Sequence, residues 1–66
     1  MEQMKKKRLD MGLTQAEAAV MCGISRYYYI DLELERRKPS VATAKKIATV
    51  LDFDWQLFYE DEAQGG

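Results

Sequence analysis

Turn-forming residues divide this chain into short segments, and that division limits the folds open to it. Gly12 and Gly23 suit the left-handed turns that end helices, while Pro39 cannot continue one. No segment shows the sustained alternation of apolar and polar residues that marks a half-buried strand. The sequence therefore predicts an all-α fold, a compact bundle of five short helices.

Residues with side-chain oxygens mark the starts of four of these helices. Thr14 precedes Glu17 by three residues, which is the capping-box pattern, and Ser25, Ser40 and Asp54 are the other predicted N-caps. We predict helices over residues 2–11, 15–22, 26–34, 41–51 and 55–60. Residues 1–59 are expected to form one domain, followed by a flexible acidic tail at 60–66.

Size and composition exclude several classes of protein. A chain of 66 residues forms one domain with a small core. One cysteine and no histidine exclude an internal disulfide and leave a zinc site, or a nucleophile that needs a base, almost without candidates. We therefore expect no enzyme, metal or cofactor. No apolar stretch approaches a membrane span, so we expect a soluble, cytoplasmic protein.

The charge is divided unevenly along the chain. The net charge is −1, which argues mildly against a nucleic-acid partner. However, residues 1–38 hold eight basic against six acidic residues, while residues 39–66 hold two against five. The basic clusters are KKKR at 5–8 and RRK at 36–38. Either they are solvated helix faces or they form a basic surface for a polyanion.

Apolar residues at helical spacing predict the interior. The small residues of the second helix allow close helix packing, and Ile24 fills the turn that follows. The predicted core positions are Ala18, Ala19, Cys22, Tyr29, Leu32, Ile47, Ala48 and Leu51, with Phe53, Trp55 and Phe58 closing its base. Leu57 and Tyr59 are then left exposed, where they offer a surface for a dimer. The alternative is that these residues serve the core of the monomer or lie singly on its surface.

A helix-turn-helix is indicated by two short helices joined by a glycine-containing turn. The segment LTQAEAAVMCGISRYYYIDLELERRKPS resembles the Cro/repressor, or XRE-type, helix-turn-helix family. The matching positions are Leu13-Thr14-Gln15, Ala19, Gly23-Ile24-Ser25, Leu32-Glu33 and Pro39-Ser40. The resemblance covers residues 4–59. It implies a helix-turn-helix at about 14–34, sequence-specific DNA binding, and transcriptional regulation, commonly by a dimer on a palindromic operator.

Two features depart from the family pattern. Members usually carry Asn-Gly after the hydrophobic-Glu pair, where this chain has Leu34 and Glu35. Without that glycine the third helix is expected to run further, or the loop to take another path. In addition, the base-facing positions hold tyrosines where the family often has small polar residues.

Three consecutive tyrosines cannot all face one core. A helix turns about 100° per residue, so Tyr27, Tyr28 and Tyr29 point in three directions. Tyr29 shares a face with Leu32 and is assigned to the interior. Arg26 and Tyr27 then lie on the opposite side, which the resemblance assigns to the DNA groove.

The chemistry of these side chains suggests their contacts. Arg26 suits a bidentate contact to guanine O6 and N7, and Tyr27 suits a thymine methyl or a base edge. Tyr28, further round the helix, suits a phosphate oxygen. Ile30 and Asp31 lie one turn on, and Asp31 can accept from cytosine N4.

Further phosphate contacts are expected on both sides of this helix. Gln15 matches the family glutamine that holds a phosphate together with the helix N-terminus. Arg36, Arg37 and Lys38 follow the third helix and are placed for the flanking backbone, where one or more should contact phosphate.

The resemblance also implies a structural pair. In the family, an arginine in the first helix often forms a buried ion pair with the glutamate that ends the recognition helix. Arg8 and Glu33 match these positions. We expect this pair to fix the third helix against the first without contacting DNA.

The favoured function is a small bacterial transcriptional regulator, a repressor of the phage or mobile-element type that binds double-stranded DNA as a homodimer. An alternative stays open because the net charge is acidic and because carboxylates stand at Asp31 and Glu35. In that alternative the fold is a protein-interaction module, antitoxin-like or an anti-repressor, without DNA binding. A DNA-binding fragment of a longer regulator is a third interpretation.

Overall fold

The computed structural model describes residues 1–60 and is all-helical over that range, which confirms the predicted fold class. Its elements are α1 (Glu2–Asp10), α2 (Gln15–Cys22), α3 (Arg26–Glu33), α4 (Val41–Leu51) and a 3-10 helix (Trp55–Tyr59). The fifth predicted helix is therefore a 3-10 helix, because so short a segment can form few i to i+4 bonds. Residues 61–66 of the predicted tail lie outside the described residues.

The predicted N-caps are present in the structure. Thr14 Oγ1 accepts from the Glu17 amide at 3.0 Å, and Glu17 Oε1 accepts from the Thr14 amide at 2.8 Å. The backbone hydrogen bond from Thr14 lowers the pKa of the Glu17 carboxyl, so the capping box favours its ionised form. The remaining caps bond in the same manner through Ser25, Ser40 and Asp54.

Helix α3 ends in a left-handed residue that is not glycine. Glu35 has a φ of 61°, and its amide donates to Leu32 O at 3.2 Å. The Arg36 amide donates to Asp31 O at 2.8 Å, which completes a Schellman-type ending. The expected lengthening of α3 does not occur. Instead Glu35 takes the left-handed conformation in which helix endings usually have glycine, at a cost of roughly 1–2 kcal/mol.

The core lies where the four α-helices meet. Helices α1 and α2 each pack against both α3 and α4, and the 3-10 helix packs against α4. The buried apolar residues are Met4, Ala18, Ala19, Cys22, Tyr29, Leu32, Ala44, Ile47, Ala48, Leu51 and Phe58. Every predicted helix-packing position is in this set, which adds only Met4 and Ala44. Phe53 and Trp55, assigned to the base of the core, are half-buried.

The turn between α2 and α3 favours glycine because of its backbone conformation. Gly23 has a φ of 70°, which side chains resist. A Cβ at this position would lie 2.6 Å from Lys46 Nζ on α4, but that ammonium is the end of a flexible side chain and can move aside. Nearby, burial raises the pKa of the Cys22 thiol, and the charge of Lys46 partly opposes that rise. The backbone conformation of Gly23 therefore fixes the turn that sets α3 against α2.

The 3-10 helix holds the loop that follows α3. Lys38 Nζ donates to Phe58 O at 2.7 Å, and the Tyr59 hydroxyl donates to Pro39 O at 2.7 Å. Leu57 and Tyr59 are half-buried, so the prediction that they stand exposed was wrong. The tyrosine is drawn inward because its hydroxyl finds a backbone acceptor.

The described helices contain at most 11 residues each. Across residues 1–60 none of them combines the length and the apolar character needed to cross a bilayer.

Candidate nucleic-acid interface

Helix α3 presents its three tyrosines to three different surroundings, as its sequence predicts. Tyr27 is 72% exposed, Tyr29 is fully buried, and Tyr28 is half-buried between them. Leu32 and Glu33 are buried on the same side as Tyr29. The inner face therefore anchors the helix, and its N-terminal outer face is open to a partner.

Arg26 and Tyr27 form a contact pair on that outer face. The guanidinium carbon of Arg26 lies 5.1 Å from the centre of the Tyr27 ring, and Nη2 donates to the phenol oxygen at 3.3 Å. Within residues 1–60, no carboxylate forms an ion pair with Arg26. Since a guanidinium carries five N–H donors, most of the donors of Arg26 remain available to a partner.

Two further arginines fold back onto α3 from the loop behind it. The guanidinium of Arg37 stacks on the Tyr28 ring at 4.9 Å, and Arg36 Nη1 lies 3.9 Å from Asp31 Oδ1. Both arginines are exposed, and contacts of this kind contribute at most about 1 kcal/mol each. They place two positive charges along the flank of α3. The Asp31 carboxylate thus has a cationic neighbour.

Arg8 and Glu33 form a bidentate pair inside the domain. Arg8 Nε and Nη2 donate to the two Glu33 carboxylate oxygens at 3.0 Å each, and Nη1 donates to Leu13 O at 2.9 Å. The exposed fractions are 7% for Arg8 and 6% for Glu33. The hydrogen bond to Glu33 raises the pKa of Arg8. Burial is the largest single influence on Glu33 and opposes its ionisation. The hydrogen bonds and charge of Arg8, together with the polar groups of Tyr29 and Gln15, outweigh burial, so the pKa of this carboxyl is lowered.

Two more side chains face this pair, and the sequence did not predict either contact. Gln15 Nε2 donates to Glu33 Oε1 at 3.3 Å, so one end of the amide is turned inward. The buried Tyr29 hydroxyl lies beside the pair without reaching hydrogen-bond geometry, yet its polarity helps to lower the Glu33 pKa. Burial raises the pKa of Tyr29 itself, so its phenol stays neutral. Both contacts depend on tertiary packing, which local patterns do not contain.

The predicted DNA-contacting residues separate into three locations. Arg26, Tyr27, Tyr28 and Asp31 lie on α3, and Arg36 and Arg37 adjoin it. Gln15 occupies the first turn of α2, partly exposed. The ammonium group of Lys38 is directed instead to the Phe58 carbonyl, so its assignment to the interface has the least geometric support. Among the residues that the structure describes, no cluster of histidine, cysteine and carboxylate side chains suits a metal.

The geometry defines a class of protein. Two short helices, crossing at small side chains and joined by a glycine turn, form a helix-turn-helix whose second helix has an exposed polar N-terminal half. A helix-turn-helix family model matches residues 4–58. The chain therefore belongs to the helix-turn-helix family, and the XRE-type resemblance is confirmed.

Two relatives, one bacterial and one from a phage, support this assignment. An uncharacterised HTH-type transcriptional regulator, YqaF, of Bacillus subtilis strain 168 is 50% identical over 58 residues, which is 88% of this chain and 76% of that regulator. The ImmF control region 10 kDa protein of Bacillus phage phi105 is 37% identical over 60 residues, which is 91% of this chain and 67% of that protein. No solved structure matches the chain. These matches place the chain among DNA-binding transcriptional regulators of bacterial type.

Proposed function

We propose that this protein is a sequence-specific repressor of the phage or mobile-element type, which acts in the cytoplasm and reads the major groove with α3. The observation that carries the proposal is the division of α3 into a buried inner face and an exposed Arg26–Tyr27 edge. In helix-turn-helix proteins the N-terminal residues of the second helix contact base edges. The likeness to a phage control-region protein supports the repressor type.

Base reading is assigned to the first turns of α3. Arg26 donates two bonds to guanine O6 and N7, a contact worth roughly 1–3 kcal/mol of discrimination between bases. Tyr27 reaches a neighbouring thymine methyl or base edge. Asp31 accepts from cytosine N4, and its Arg36 neighbour at 3.9 Å reduces repulsion from the DNA backbone.

Phosphate contacts hold the helix in register. The capping box occupies the amides of Thr14 and Glu17, and it leaves the first amides of α2 directed outward beside Gln15. On the other side, Arg37 lies over the Tyr28 ring, and its guanidinium and the Tyr28 hydroxyl suit the flanking backbone. Arg36 adds a further charge, while Lys38 contributes least.

Two copies are proposed to act together. A single module of this size covers roughly 600–1,000 Å² of DNA contact, which is small for tight specific binding. A homodimer on a palindromic operator, with half-sites about 34–36 Å apart, doubles that contact. Residues 1–59 of each copy form the DNA-binding domain in this proposal.

Selection from a random duplex pool tests the proposal directly. The purified protein is expected to recover an inverted repeat whose half-sites contain a guanine, and binding should depend steeply on salt. Neutralisation of about six phosphates predicts a slope of log K against log salt near −5. A pool that stays random at low salt contradicts the proposal.

A protein-interaction module is the second candidate function. It is favoured by two exposed apolar residues at the end of α2, Val20 at 78% and Met21 at 48%, and by the net charge of −1. A protein partner held on such side chains would bind with little dependence on salt, because few counterions are released. The salt slope therefore separates the two functions in one titration.

A further inference from the structure

We propose that Tyr27 is a positioning residue, which holds the Arg26 guanidinium in the orientation that selects guanine. The inference rests on the proposed function, since it concerns the specificity of the same surface. It assigns to Tyr27 an action through Arg26, in addition to any contact of its own with a base.

The first support is the geometry of the pair. Neighbouring residues on a helix diverge by about 100°, so adjacent side chains do not ordinarily face each other. Here the Arg26 side chain turns back over the Tyr27 ring, with the guanidinium carbon 5.1 Å from its centre. The Nη2 group also donates to the phenol oxygen at 3.3 Å. A stack and a hydrogen bond together restrict both the position and the rotation of the guanidinium plane.

The second support is the lack of a competing anchor. No carboxylate within residues 1–60 pairs with Arg26. The Tyr27 phenol oxygen accepts from only one Arg26 nitrogen, Nη2. A planar guanidinium needs two parallel donors on one edge to bind guanine O6 and N7. Tyr27 occupies one face and one Nη2 hydrogen, and therefore leaves a two-donor edge free while limiting how it can turn.

Restricting the orientation of the Arg26 guanidinium affects base specificity and leaves its charge unchanged. An unrestrained arginine has many rotamers and can donate to phosphates or to several base edges. An arginine held in one orientation can donate only to the acceptor pair that it faces. The ordering is also completed before DNA arrives, which reduces the entropy lost on binding. Loss of Tyr27 should therefore weaken the preference for guanine at the base pair that Arg26 reads.

The chain provides a matched control. Tyr28 also lies beneath an arginine, with Arg37 at 4.9 Å, but that pair stands at the proposed phosphate-contacting flank. Tyr28→Phe changes a phenol on the same helix, next to the position under test. It should lower the affinity for all operators alike, through loss of the proposed phosphate contact, and leave the base preference unchanged.

The experiment measures base preference, position by position, in the variants Tyr27→Phe, Tyr27→Ala, Tyr28→Phe and Arg26→Ala. Each is titrated against the selected operator and against operators with single base-pair changes. Arg26→Ala identifies the guanine position. There we expect the ratio of affinities for guanine over other bases to fall about tenfold in Tyr27→Ala and about threefold in Tyr27→Phe, since part of the full bidentate discrimination is lost.

A double-variant cycle isolates the action through Arg26. In the Arg26→Ala background, Tyr27→Ala should cause no further loss at the guanine position. Because Tyr27 is 72% exposed, its replacement should leave the melting temperature unchanged. The result that overturns the inference is a uniform loss across all sequences, or a loss confined to a base pair other than the one Arg26 reads. If the wild-type protein selects no sequence at all, the proposed function itself fails, and the inference with it.

Discussion

Arg8 and Arg26 carry the same side chain in opposite settings. Arg8 is 7% exposed, and all three of its side-chain nitrogens donate, two to the Glu33 carboxylate and one to the Leu13 carbonyl. Arg26 is exposed and meets one phenol oxygen at 3.3 Å. A guanidinium that has a buried carboxylate is committed to the fold. One that has only an aromatic neighbour keeps donors for a partner.

The largest test of this contrast is Arg8→Ala. Removing one member of a buried ion pair leaves the other charge uncompensated, so we expect the free energy of unfolding to fall by about 3–5 kcal/mol. Gln15 and Tyr29 would remain beside Glu33 without replacing the lost charge. Urea unfolding followed by circular dichroism measures the loss.

Removing both charges is the matched control. In Arg8→Met with Glu33→Leu, no buried charge is left unpaired, and we expect this double variant to be more stable than Arg8→Ala. Thermal stability of Arg8→Ala equal to that of the wild type would show that the pair does not hold α3 in place.

The second test uses pH. The Glu33 carboxyl has a folded-state pKa below its ordinary value of 4.5, so the unfolded chain takes up a proton first as the pH falls. The stability contributed by the pair is thus complete well above pH 4.5 and declines as the pH drops through the folded-state pKa. We expect the stability difference between wild type and Glu33→Gln to narrow on acidification. A difference that is constant with pH would contradict the assignment, and Glu17→Gln controls for the capping-box carboxyl, whose pKa is also lowered.

The third test concerns the exposed arginine. Arg26→Ala removes a side chain that contributes little to packing, so its melting temperature should match that of the wild type. Its affinity for the selected operator should fall by roughly 1–3 kcal/mol, which is about 5- to 150-fold. Equilibrium binding at fixed salt measures this loss. Unchanged affinity would remove Arg26 from the interface.

The smallest expected effect concerns the C-terminal end of α3, away from the proposed DNA-contacting residues at its N-terminal end. Glu35 has a φ of 61°, so Glu35→Gly should stabilise the chain by up to about 1 kcal/mol and leave DNA affinity unchanged. The neighbouring Leu34 has a φ of −85° and is 55% exposed. Leu34→Gly should therefore destabilise by about 0.5–1 kcal/mol, because glycine there only adds freedom to the unfolded chain. A loss of stability in Glu35→Gly would mean that its carboxylate, 3.7 Å from the Met1 amino group, outweighs the backbone strain.

Much of the fold was predictable because its signals are local. A cap depends on a side chain and the amides of the next turn, so Thr14, Ser25 and Ser40 locate their helices from sequence alone. The same holds for the orientation of the three tyrosines, since helical geometry separates them whatever surrounds the helix.

The errors and omissions have a different origin. Ala44 lies on the same face of α4 as Ile47, so helical spacing could have identified it. Met4 is fully buried because α1 packs against α3 and α4, and nothing near it in sequence indicates that packing. The inward bond of Gln15 joins residues 18 positions apart. Glu35 was misjudged because the rest of the fold imposes a conformation that its own preference opposes.

The attachment of Lys38 and Pro39 to the last helical turn has a consequence for how the molecule is built. Hydrogen bonds to Phe58 O and from the Tyr59 hydroxyl fasten both residues, immediately after the two arginines that flank α3. The C-terminal aromatic turn thus fastens the far end of the segment that we propose contacts DNA. Removal of the chain from Trp55 onward would release that segment at one end and would also take Phe58 out of the core. The presence of the last turn therefore sets how rigidly the two arginines are held.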